Sequence, residues 1–135
     1  MRAVDTNALV RLVARDDPRQ LLHVERFIAA GAWVPHLVLV EFVWVLESVY
    51  GAARPTIARA VSMLLQHESL VVQDADVVEL ALRHFQSQAS VQFSDCLILE
   101  VARKAGHLPL GTFDRGLAKS AGAVRIDSPP AAGRA

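Results

Sequence analysis

Residues 1–12 read MRAVDTNALVRL, and the switch at their centre decides the fold. An apolar stub, Arg2–Val4, has the character of a short strand and runs straight into Asp5. From Asn7 to Arg15 the apolar spacing becomes helical and closes at DDP, residues 16–18. The same event recurs near the other end, in LPLGTFDRG, Leu108–Gly116. There a strand is predicted over Leu108–Leu110, with Thr112 and Asp114 just past it. Two strands that each stop on an aspartate with a threonine nearby set the question of function.

Outward from these two stretches, strands and helices alternate. Ala32–Val34, before Pro35, and Leu70–Val72 read as strands, and Ala123–Ile126 as the last. Helices are predicted over His23–Ala30, over Leu37–Tyr50 ending at Gly51, and over Thr56–His67. Another runs to Ser87, with Asp76 and Glu79 at capping-box spacing at its head. Ser94–Ala105 is stopped by Gly106, and a short helix, Arg115–Ala121, by Gly122. This alternation predicts a single-domain α/β/α sandwich whose short-stranded, mainly parallel central sheet is covered on both faces. Residues 1–127 form the expected domain, and the tail SPPAAGRA, residues 128–135, is expected to be disordered. Such sheets bind ligands outside the carboxyl ends of their strands, where strand order reverses. Asp5 and Asp114 would meet at that edge.

At 135 residues and 53% hydrophobic, the chain can bury one core. No apolar run approaches the roughly 20 residues that span a bilayer; Leu37–Leu46 is interrupted by Glu41. Asp5 falls where the apolar stretch of a secretory signal would build up, and the single cysteine, Cys96, has no internal partner. A cytoplasmic chain is therefore expected. Acids and bases number 14 each, so net charge names no partner.

Two further acids sit in apolar company. Glu41 lies in LVLVEFVWVL, with Leu37, Val38, Trp44 and Val45 at helical contact distance and Leu39, Phe42, Val43 and Leu46 on its flank. A helix apolar all round is expected to be buried, and Glu41 with it. Glu47, beside Ser48, reads as a surface acid. Asp95 shares a face with Ile98, Leu99 and Ala102 and is expected to point inward. Glu100 can pair with Lys104 at i,i+4 and is expected at the surface. Taken singly, Asp5, Asp95 and Asp114 each also suit a helix cap. Glu41 does not, and a buried carboxylate must be protonated, paired or bound to a cation. Carboxylates converging on one edge would repel by about 4 kcal/mol per close pair at an effective dielectric near 20. A divalent cation resolves this, and oxygen-only donors favour magnesium, with manganese as its substitute. The five histidines, His23, His36, His67, His84 and His107, are scattered and do not suggest zinc.

The VDTNALVRL opening, the glutamate within VEFVWVLESVYG, FSDCLI and TFDRGLAK resemble, in this order from about Ala3 to Ile126, the PIN-domain ribonucleases, in particular the VapC-type toxins of toxin–antitoxin pairs. The resemblance implies magnesium-dependent hydrolysis of RNA phosphodiester bonds. Its acidic quartet falls on Asp5, Glu41, Asp95 and Asp114 as catalytic and metal-holding residues, with Thr6, Asn7 and Thr112 in support. Glu41 would either ligate a second ion or orient the attacking water. Where many relatives carry a serine before the second motif's helix, this chain has Pro35 and His36. Where some carry a further acid, it has Gln92 and Gly116, so a fifth acidic ligand is absent. The resemblance also implies a homodimer through apolar helix faces and a small antitoxin covering the acidic groove. Trp33, Val40 and Trp44 would suit either a dimer surface or a core.

With four acids at a pocket, ten remain against 14 bases. Arg11, Arg15, Arg103, Lys104, Arg115 and Lys119 are candidates to meet a phosphate backbone. Two other classes compete. A haloacid-dehalogenase-like phosphotransferase also places an aspartate after its first strand, but wants a second aspartate where Asn7 stands. A catalytically idle PIN-like binding domain would keep the fold to grip a partner, and the complete quartet argues against it.

Overall fold

Strand β1 (Arg2–Ala3) is short because Asp5 ends it: the backbone there is extended, and the carboxylate accepts the Ala8 N–H to start helix α1 (Thr6–Ala14). In the computed structural model, which describes residues 1–127, this unit opens a chain of five strands and seven helices. The expectation for the tail, residues 128–135, lies outside the described residues. After α1 come α2 (Pro18–Ile28), β2 (Ala32–Val34), α3 (His36–Ser48) and α4 (Arg54–Gln66). Then follow β3 (Leu70–Val72), α5 (Ala75–Ser87), α6 (Phe93–Ala105), β4 (Leu110–Thr112), α7 (Arg115–Ala118) and β5 (Ala123–Arg125).

All strand pairing among the described residues is parallel, as expected for a single-domain α/β fold. The strands form two small sheets rather than one, β1-β2-β3 and β4-β5. The expected cover on both faces is also incomplete. Trp33 and its register partner Val71 are 37% and 48% exposed. Strands this short present one outward residue each, between inward neighbours such as Ala32 and Val34, too little surface to seat a helix.

The core gathers around Phe42, Phe85 and Phe93, with Phe85 and Phe93 edge to face at 5.8 Å between centroids. Helices α5 and α6 pack along one another, and α1 packs on α3. Arg54 at the head of α4 is half-buried. Its guanidinium donates to the carbonyls of Phe85, Gln88 and Val91 and lies 3.8 Å from the Phe85 ring centroid. It thereby pairs a cation with the carbonyl-rich end of α5. No helix among the described residues is long and apolar enough to cross a membrane.

Several local expectations are corrected. Helix α2 begins at Pro18, five residues before His23, because Asp17 caps it through the Gln20 N–H. The capping box at Asp76 does not form: Asp74 precedes α5 in the left-handed region, without a side-chain cap. Asp76 instead binds Lys104. Strand β4 lies two residues further along than Leu108–Leu110, and α7 ends at Ala118 rather than Ala121.

Candidate functional site

Asp5, just past β1, spends Oδ1 on the Ala8 N–H, and its other oxygen makes no hydrogen bond among the described residues. Thr6, next in the chain, donates its hydroxyl to Glu41 Oε2 at 3.2 Å and so joins the start of α1 to α3. Glu41 itself is exposed, which overturns the expected burial. Helix α3 turns Leu39, Phe42, Val43 and Leu46 inward, but Leu37 and Trp44 are 79% and 63% exposed. Apolar neighbours in sequence here do not mean a dry environment. Trp33 and Trp44 are accordingly not core residues, and Val40 is half-buried. Glu47 is also half-buried rather than at the open surface. It lines a cavity of about 260 Å³ with Val40, Trp44, Phe93 and Ser94. Asn7 is exposed and makes no side-chain hydrogen bond among the described residues.

The second couple lies on α6 and α7. Asp95 stands in the first turn of α6 and is half-buried, with Leu99 inside but Ile98 52% exposed. Burial pushes its carboxyl above the ordinary 3.8, and the negative charge of Asp114 pushes it the same way. Asp114 is exposed and caps α7 by accepting the Leu117 N–H at 2.7 Å through Oδ2. Thr112 accepts the Asp114 N–H at 3.0 Å and fixes the turn that carries the acid. The capping role considered for Asp5 and Asp114 is thus observed for both. Cys96, beside Asp95, is fully buried, and burial first of all pushes its thiol up to about 12.

Two links are seen around the quartet: Thr6 ties Glu41 to the start of α1, and Asp114 lies in the field of Asp95. Among the described residues, no three His, Cys, Asp or Glu side chains are gathered as a metal cluster. The donor chemistry suits a hard divalent cation: all four are carboxylates, each with an oxygen not used in a hydrogen bond among the described residues, and two repel each other.

Half of the candidate cations are committed elsewhere. Arg11 bonds Gln20 and Asp16. Arg103 bonds Glu100 and the Ala121 carbonyl, and Lys104 bonds Asp74 and Asp76. Lys104 is drawn to α5, so it does not pair with Glu100, which is buried at 8% against Arg103 and not at the surface. Arg15, Arg115 and Lys119 are exposed and make no side-chain hydrogen bond among the described residues. The sequence reading missed Gln88, Ser120 and His84, which hold the turn after Asp114. The i,i+4 spacing of His84 and Gln88 was their only signal.

The sequence model of the PIN domain matches residues 2–123. No curated protein and no solved structure matches the chain. PIN domains are typically nucleases, and this assignment displaces the phosphotransferase alternative. With a match that takes in Asp5, Glu41, Asp95 and Asp114 and nearly the whole described chain, the protein belongs to the PIN domain family.

Proposed function

We propose that the protein is a magnesium-dependent endoribonuclease, the toxin of a type II toxin–antitoxin pair, acting in the cytoplasm. The observation that carries the reading is the couple of Asp95 and Asp114. Burial and the negative charge of Asp114 raise the proton affinity of Asp95 at the head of α6, and no basic side chain is among the groups that set it. That is a site an ion of opposite charge would relieve. Asp5, Asp95 and Asp114 would hold the ion, with Glu41 either joining them or orienting water. A bound divalent ion supplies an acidified water and an offset for charge on the phosphoryl group. The chain's own residues prepare this. Thr6 holds Glu41, Thr112 fixes the backbone at Asp114, and Arg15, Arg115 and Lys119 offer charge to an RNA backbone.

Exposed Leu37 and Trp44 on α3 support a homodimer or a seat for the antitoxin. The alternative is an idle PIN-like domain that keeps the fold only to grip a partner. Incubation with RNA in magnesium, followed by sequencing of the RNA ends beside an Asp5→Asn control, separates the two. Defined new ends with the wild-type protein and none with the variant are expected. Identical ends from both would end the nuclease reading.

A further inference from the structure

The turn that carries Asp114 is held from outside the acidic residues. Gln88, just past the end of α5, directs its Nε2 to the Gly116 carbonyl at 2.9 Å, and only the amide nitrogen can donate there. Its Oε1 accepts the Ser120 hydroxyl at 3.1 Å and lies 3.0 Å from His84 Nε2, itself 2.8 Å from Ser120 Oγ. Ser120 is buried, so these bonds form in a partly dry setting. The Gln88 backbone is fixed as well: its N–H donates to the His84 carbonyl, and its own carbonyl accepts from Arg54. Two residues on, Ser90 stands so close to Gly116 that a Cβ there would meet the Ser90 carbonyl oxygen at 2.9 Å. A side chain at this position would force the Ser90 backbone to shift.

We propose that Gln88 is a positioning residue for Asp114. Its amide clamps the Gly116 carbonyl so that the Thr112–Leu117 turn seats against the α5–α6 loop, which leads in three residues from Gln92 to Asp95. Gln88 touches neither substrate nor reacting atoms. The inference rests on the nuclease reading for its consequence in catalysis, but not for its structural content. Gln88→Glu is the sharpest variant. It keeps size and the accepting oxygen while replacing the donor with an oxygen that repels the Gly116 carbonyl.

The Leu117 amide, which donates to Asp114, reports the seating by NMR without metal or RNA. In Gln88→Glu its signal should move and its exchange protection fall, with the amides of α6 unmoved. In magnesium, kcat should fall about 10-fold or more with KM little changed, the scale seen when residues that orient ligands are lost. Ser120→Ala, which removes a bond to Gln88 from the other side, should do the same to a smaller extent. An unmoved Leu117 signal in Gln88→Glu overturns the proposal, as does a moved signal with wild-type kcat. Wild-type protein that cleaves no RNA while the Leu117 signal moves would instead count against the nuclease reading alone.

Discussion

At the scale of single residues, the acids do different work although they share a type. Asp5 caps α1 as well as standing at a strand end, so Asp5→Ala should cost about 1 kcal/mol of stability in denaturant unfolding. Asp5→Asn, which keeps a capping oxygen, should cost little. Asp95 is the opposite case. Its carboxyl is raised above 3.8 in the fold by burial and by Asp114, so the folded state holds that proton more tightly than the unfolded chain. Below 3.8 both states are protonated and the penalty is absent. It grows as pH rises from 3.8 to the raised value, and stays in full above it. Asp95→Asn should therefore melt higher than wild type at pH 7 in chelator, with the gap closing as pH falls below 3.8. A lower melting temperature for Asp95→Asn at pH 7 would mean that the carboxylate is structural.

Among elements, α3 shows what local pattern can and cannot convey. Its inward row of Leu39, Phe42, Val43 and Leu46 was legible, but the exposure of Leu37 and Trp44 was not. An apolar residue reads the same whether a partner element covers it or water does. Strands β2 and β3 were legible to the residue, bounded by Gly31, Pro35 and the polar run after Val72. The stop of α6 at Gly106 was legible too, because the left-handed backbone there, φ +82°, favours glycine. The partners of Glu100 and Lys104 were not legible. Asp74 reaches Lys104 from thirty residues away, a pairing that helical spacing cannot contain. The four candidate acids were proposed from motif order, and the bond that ties Thr6 to Glu41 across 35 residues was not legible. For α3 we expect Glu41→Gln to lower RNA cleavage at least about 100-fold with the fold intact, the scale of losing a group that acts on the proton or charge in flight. Glu47 is no remote control, since its cavity reaches Ser94. Exposed Glu79 on α5 is the better one, and Glu79→Gln should cleave at the wild-type rate. Equal rates for Glu41→Gln and Glu79→Gln would remove Glu41 from the site.

For the whole molecule, the division into β1-β2-β3 and β4-β5 means that no described strand ladder spans the domain. Side chains do the joining: Gln88 and Ser120 link α5 to the Asp114 turn, and Arg103 reaches the Ala121 carbonyl. Cys96 lies inside the larger part of the structure, fully buried, with a thiol pushed up to about 12. As the only cysteine, it makes the native chain its own stopwatch. A disulfide reagent at pH 8 finds almost no thiolate and no path to it, so each labelling event must wait for the molecule to open around α6. The labelling rate then counts those openings without any dye, tag or engineered site. It should slow in Asp95→Asn, which removes the adjacent repulsion. Labelling as fast as a free thiol would show that α6 is not seated as described.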